Sequence, residues 1–417
     1  MSASTTLDRP IVIAAGGTGG HFFPAEALAA ELRARGHRLV LMTDARAGRR
    51  NQGVFAEAEQ HVLPGAGVAG RGLAGKLRSA AALLRGALEA RRLMRRIGPA
   101  VVVGFGGYPS VPPLLGARLL GAGKAGIGRP ALVLHEGNAV LGQANALLAR
   151  FADVVATSFP TVARLPATRR TVLTGMPVRP ELAALAGAPL APTDGALRLL
   201  IWGGSLGARV FSDVVPPVLT GLPPELRARL RITQQARAED VERVRTAYAA
   251  AGIEAEVQPF FHDVSTLLRD AHLVIGRAGG SSVAELGLVG RPAIMVPLPI
   301  AASDEQTANA RALSDAGGGW LLPQPSFTPD ALATLLRRLL TEPDALRDAA
   351  ARAGSQGRPD AARRLADLVE ELLQPRTQND REPGLPPRAP HVIPSTGEDG
   401  RIAGRQGGAK IMTEAAR

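Results

Sequence analysis

Four times in this 417-residue chain a short apolar run empties into a glycine-rich turn that opens a helical pattern, and nothing else constrains the fold as strongly. The turns are GGTGGH at Gly16, GFGGYP at Gly104, GGSLGA at Gly203 and GRAGGSS at Gly276. Repetition of strand, turn and helix is the signature of βα units around a parallel sheet. Strands are expected at Ile11 to Ala15, Leu39 to Thr43, Ala100 to Gly104, Ala131 to His135, Val154 to Thr157 and Thr171 to Thr174. A helix is expected from about Ala25, with Leu28, Ala29 and Leu32 on one face and a stop at Gly36. The pattern weakens in the Pro, Ala and Gly-rich stretch from Pro180 to Gly195 and restarts with Arg198 to Trp202, followed by Ala255 to Pro259, His272 to Gly276 and Pro292 to Pro297.

The fold class is therefore α/β, with two doubly wound, Rossmann-like domains facing a cleft. The expected boundaries are an N-terminal extension (1–9), a first domain (10–180), a linker (181–195), a second domain (196–357), a C-terminal helix (358–374) and a disordered tail (375–417). The tail holds six Pro and six Gly with little apolar periodicity. No apolar run approaches the ~18 residues of a membrane span, and Met1 to Pro10 show no secretory pattern.

A glycine-rich turn at a helix start aims backbone N–H groups and the positive end of the helix dipole at one spot, which suits a phosphate. Four such turns would gather at the C-terminal sheet edges, where doubly wound folds bind ligands. In the fourth, Ser281 and Ser282 are placed either to hold a diphosphate or simply to cap the helix. Glu285 is placed either for ribose hydroxyls or as a favourable first-turn acid. His21 closes the first turn, inside the cleft, and suits a general base near neutral pH. There is no cysteine, no DxD, HExxH or other metal-ligand spacing, and no GxxxxGK[ST]. No metal and no cofactor is expected, so helix N-termini and Arg residues must stabilise a leaving diphosphate. A nicotinamide-dependent oxidoreductase with Asp44 as ribose acid is the rival reading, and Phe22 breaks its GxGxxG register.

Taken in order, GGTGGHFFPAEALAAEL, GFGGYPSVP, HEGNAVLGQAN, TGMPVRPEL, GGSLGARVFSDVVP, GRAGGSSVAELGLVGRPAIMVPLP and DEQTANA closely resemble the MurG family over roughly residues 10–373. The resemblance implies the GT-B fold and an inverting glycosyltransferase of peptidoglycan synthesis. Its donor would be UDP-GlcNAc and its acceptor the C4 hydroxyl of undecaprenyl-diphosphate-linked MurNAc-pentapeptide. It implies His21 as the base, and Thr18, Gly19 and Gly20 at the sugar nucleotide or acceptor phosphate. Asn138, Arg179 and Ser205 would meet the sugar nucleotide, and Phe261 the uracil through its backbone. Gly280, Ser281, Ser282, Val283, Ala284 and Glu285 would hold diphosphate and ribose, and Gln306 the GlcNAc hydroxyls. The chain departs from the family at Gly137 (usually Gln), Met176 (Asn), Leu206 (Gln), His262 (often Asp), Ala278 (Ser) and Ile300 (His). A donor-altered or catalytically weak paralogue acting as a membrane scaffold is the alternative those departures raise.

The net charge of +12 raises the question of an anionic partner. Residues 71–96 carry eight Arg or Lys and one Glu, so more than half of the excess lies in 26 residues. Leu77, Leu84 and Leu88, with Leu73, Leu83 and Met94, give that segment the pattern of one or two amphipathic basic helices, matching either a solvated helix or an anionic membrane surface. With aromatic residues at 3%, no base-stacking platform is present and no nucleic acid partner is expected. The acceptor's lipid implies a peripheral position on the cytoplasmic face of the bacterial inner membrane.

Overall fold

A computed structural model describes residues 9–17, 19–64, 73–120, 129–204, 207–299 and 304–373. The tail read as disordered, and Thr18, Ser205, Leu206 and Ile300, lie outside them. The first half carries seven parallel strands: β1 (Ile11–Ala14), β2 (Leu39–Asp44), β3 (Glu59–Leu63), β4 (Val101–Gly104), β5 (Ala131–Glu136), β6 (Val154–Thr157) and β7 (Thr171–Leu173), in the order β3-β2-β1-β4-β5-β6-β7. The second half carries six: β8 (Leu197–Trp202), β9 (Leu230–Gln235), β10 (Glu254–Gln258), β11 (Leu273–Gly276), β12 (Ala293–Met295) and β13 (Gly319–Leu321), in the order β10-β9-β8-β11-β12-β13. Strand order reverses between β1 and β4 and between β8 and β11. Those four strands feed the four glycine-rich turns, so every turn opens beside a switch point, where a crevice forms outside the carboxyl ends.

Central strands read as unbroken apolar runs because both faces are covered; Ile11, Val12, Ile13 and Ala14 are all fully buried. β3, β9 and β13 escape that signal. EQHVL at one edge and LRITQQ next to another carry polar side chains, and GWL at the edge is too short to show a period.

The first helix, α1 (Gly19–Ala34), starts six residues before the expected Ala25. Pro24 lies inside it, where it forgoes only the hydrogen bond to the carbonyl of Gly20. The basic segment forms one continuous helix, α2 (Leu73–Ile97), packed on α3 (Val111–Arg118). The contact is close because Gly116 has no side chain: a Cβ there would stand 2.7 Å from Ala90 Cβ and from the Arg91 nitrogen. Met94 is fully buried, as a helix with its apolar face in the core would have it, whereas Leu84 and Leu88 are 59% and 43% exposed.

The C-terminal helix Ala361–Glu371 crosses back onto the first half, where Leu365, Ala366 and Val369 pack with Ile11, Ile13 and Leu28. Arg35, just after α1, fastens it through Asp367 and Glu370, both at 2.7 Å, with Glu31 as a third partner. The stretch read as a linker is also anchored. Leu182 is buried, and the fully buried guanidinium of Arg291 donates to the carbonyls of Ala188 and Pro189 as well as Leu268, Arg269, Val289 and Gly290. Replacing Arg291 with Met would strand these buried acceptors, and urea unfolding should show a loss of about 3 kcal/mol.

Candidate active site

The first turn is shaped by what stands behind it. A Cβ at Gly16 would lie 2.8 Å from Thr43 Oγ1 and 2.9 Å from Asp44 Oδ1, and Gly17 has φ +81°, so the chain can turn into α1 there only as glycine. Asp44, the ribose acid of the oxidoreductase reading, already accepts from Arg46 Nε at 2.7 Å and from the Ala47 nitrogen at 3.2 Å.

His21 sits in the first turn of α1, half-buried, against the second glycine-rich turn. A Cβ at Gly107, where φ is +66°, would stand 3.3 Å from its Cδ2 and 3.5 Å from its Nε2. Burial lowers the pKa of His21 below the usual imidazole range, and a hydrogen bond to the Phe105 backbone opposes that only in part. The ring is neutral at pH 7 and free to take a proton.

Behind it lies the HEGN loop after β5. The buried His135 holds Nε2 at 3.2 Å from both the Gly175 carbonyl and Ser158 Oγ. Burial drives its pKa down to about 4, with the nearby His21 adding to the fall. Glu136 frames the loop. Its Oε1 accepts from the Asn138 nitrogen at 2.9 Å and Asn138 Nδ2 at 3.2 Å, and its Oε2 from Gly142 N and Asn145 Nδ2, both at 2.9 Å. Burial still pushes its carboxyl above the ordinary range.

The loop meets the second half at two points. Gly280 opens the helix Gly280–Val289, and a Cβ there would fall 1.9 Å from the carbonyl oxygen of Gly137, an approach that no side chain permits. Beside it Asn309 of the helix Glu305–Ser314, fully buried, accepts from the Ala139 nitrogen at 2.7 Å and donates to Asn138 Oδ1 and the Ala278 carbonyl, both at 3.1 Å. Sequence reading passed over Asn309. Its signal is an Asn inside a helix, a position that residue occupies at a cost unless its amide is bonded. Gln306, one turn earlier, accepts from Leu298 N at 3.0 Å and Ala278 N at 3.3 Å and so ties two loops of the second half together.

At the Gly280 helix the cap is Gly279, with no side-chain cap bond, so neither Ser281 nor Ser282 acts as the cap the local pattern allowed. Glu285 is in the second turn, not the first, because the helix begins at Gly280. Ser282 and Glu285 face a small cavity with Trp202 and Arg277. Val283 is buried in the core and, with Ala284, lines a different, larger cavity, away from the one that Ser282 and Glu285 face. Burial pushes Glu285 up to about 7, opposed by the charge of Arg179. Arg179 in turn lies 5.0 Å over the ring of Phe23 in α1, and burial raises the pKa of Glu26, opposed by the charges of Arg50 and Arg179. Phe23, Arg179 and Glu285 thus converge from α1, the 175–180 segment and the Gly280 helix. Phe261 is buried, and the exposed ring after β10 is Phe260, set edge-on to His262 at 4.9 Å.

Two of the departures from the family pattern are one event in space. A Cβ at Gly137 would come 3.0 Å from Met176 Cε, so the larger Met occupies room that the missing side chain at 137 leaves. Met176 is buried and takes a weak hydrogen bond from Ser158 Oγ at 3.8 Å.

A group such as Glu285, protonated more readily in the folded state, makes stability fall as pH rises from its ordinary 4.5 through about 7. Glu285→Gln should therefore raise Tm by roughly 2–4 °C at pH 8 and leave it unchanged at about pH 4, below both values, in thermal melts without ligand.

The glycosyltransferase family 28 N-terminal domain matches residues 11–157, and the family 28 C-terminal domain matches residues 198–365. The chain is 59% identical over 368 residues to the UDP-N-acetylglucosamine--N-acetylmuramyl-(pentapeptide) pyrophosphoryl-undecaprenol N-acetylglucosamine transferase of Gluconobacter oxydans, covering 88% of this chain and 100% of the relative. It is 46% identical to the protein of the same name in Brucella suis, with 90% and 98% covered. Among solved structures, the crystal structure of Acinetobacter baumannii MurG matches with a TM-score of 0.69 and 31% identity, over 87% of this chain and 99% of that one. A kitacinnamycin glycosyltransferase, at 18% identity and a TM-score of 0.60 over 88% of this chain and 100% of that one, shares the fold. The chain therefore belongs to glycosyltransferase family 28, with the GT-B fold and membership of its MurG family.

Proposed function

We propose that this protein transfers N-acetylglucosamine from UDP-GlcNAc to the C4 hydroxyl of undecaprenyl-diphosphate-linked N-acetylmuramyl-pentapeptide, with inversion at the anomeric carbon. The observation that carries the reading is the convergence of Phe23, Arg179 and Glu285, which joins α1, the helix that carries the neutral His21, to the helix that starts without a side-chain cap at Gly280. His21 takes the acceptor's proton as its oxygen attacks the anomeric carbon. The bond from that carbon to the diphosphate oxygen breaks, and UDP leaves with its charge spread over the backbone N–H groups from Gly280 to Ser282 and Arg179. Glu285 bonds the ribose hydroxyls, the Phe261 backbone meets uracil, and Gln306 meets the sugar. Thr18, Gly19, Gly20, Asn138 and Ser205 complete the contacts. Residues 10–180 serve the acceptor and residues 196–357 the donor.

The acceptor's lipid calls for a membrane contact, and α2 fits one. Leu84 and Leu88, one turn apart, and Leu119 at the end of α3 are exposed among Arg78, Arg85, Arg92, Arg95 and Arg96. Among the described residues no helix is long and apolar enough to cross a membrane. The protein sits on the cytoplasmic face of the inner membrane through this patch.

His21→Ala should lower transfer by at least ~10²-fold while UDP-GlcNAc affinity in calorimetry stays within about twofold. In the unaltered enzyme the acid limb of kcat/KM should fall below pH 6.5. Transfer by the variant at the original rate would refute the base assignment. Arg91 donates to the Leu119 carbonyl and is better left alone, so charge reversal at Arg85, Arg92, Arg95 and Arg96 is the cleaner test of the patch. Sedimentation with anionic vesicles should weaken at least tenfold, at about 1 kcal/mol per residue near the surface.

A further inference from the structure

On the opposite flank of the Gly280 helix from Glu285 lies a cavity of about 430 Å³ that the transfer reaction leaves unused. Its walls come from both halves: Phe159, Met176 and Val178 from the first, and Ala284, Leu288 and Ala312 from the second. The lining is predominantly apolar, its size falls within the range of small-molecule sites, and no carboxylate lines it. Two guanidiniums do, Arg311 and Arg358. Neither forms an ion pair among the described residues. The stem of Arg358 packs closely on Gly175, where a Cβ would lie 2.9 Å from its Cδ.

An apolar chamber with two unneutralised cations and no acid selects a ligand with an apolar body and one anionic end. We propose that this cavity binds an amphiphilic anion, an aliphatic chain ending in a carboxylate or a phosphate monoester, with the chain between Met176 and Leu288 and the headgroup on Arg311 and Arg358. Because the walls belong to both halves, the occupant bridges them across the seam behind the cleft. Arg311, Ala312 and Arg358 have no place in the transfer chemistry, so the site can be altered at these positions without touching the reaction.

The test is calorimetric titration of the full chain with decanoate, decyl phosphate and decanol. Decanoate or decyl phosphate should bind saturably at one site, decanol at least tenfold more weakly, and the tighter of the two anions identifies the headgroup source. Arg311→Glu with Arg358→Glu should weaken the anions at least tenfold and leave decanol unchanged. Ala312→Trp, which fills the chamber, should abolish binding of all three. Equal binding of decanol, or undiminished anion binding by either variant, would overturn the proposal. Should the Trp variant fail to fold, soaking crystals of the unaltered protein with 10-bromodecanoate decides instead. A bromine anomalous peak between Met176 and Leu288 supports the site, and its absence there, or a peak on the Leu84–Leu88 stripe, refutes it.

Discussion

The contact on which the rest of the molecule depends is the approach of Gly280 to the carbonyl of Gly137. It presses the start of a helix in the second half against a loop from the first, and it leaves no room for a single carbon atom. Asn309 then uses both ends of its amide to fasten the same two segments, and Glu136 holds the loop they meet. A helix N-terminus therefore meets the loop that leaves β5 at a fixed place. Arg291 and the returning C-terminal helix reinforce this seam from the linker and from α1.

Burial near the seam tunes each ionisable group differently, according to how far its partners compensate. Glu136 is surrounded by four donors, so it can remain as a structural carboxylate despite its desolvation. Glu285 has only the charge of Arg179 to set against desolvation and sits near neutrality. His21 is pushed the other way and stays uncharged. Two carboxylates and an imidazole thus fall into separate roles by environment alone.

Much of this was legible in the sequence where the physics is local. Unbroken apolar runs gave β1, β4, β5 and β11, and the glycine-rich turns marked the four central strand ends. The polar strands β3 and β9 and the three-residue β13 were not legible, since a position at or next to a sheet edge relaxes the pattern that reveals a strand. The helix at Gly280 showed the limit of reading turns by composition: the serines that resemble caps are not caps, because the cap is Gly279 and they fall at the second and third positions inside the helix. Gly137 and Met176 looked like two independent losses of polar groups. In space they compensate, the absent side chain of one making room for the thioether of the other.

The sequence by itself determined the repeated βα units, the family, and which turn carries the histidine, because these follow from neighbours along the chain. Only the tertiary structure decided which side chains share a cleft. Arg179 and Glu285 are 106 positions apart, and so far apart in sequence that no periodicity relates them; the crossing of two sheets brings them within reach of one another's charge. The same holds for the apolar stripe of α2, where Leu84 and Met94 have equal claims to the surface in sequence. The packing of α3 through Gly116 buries one and leaves the other in solvent.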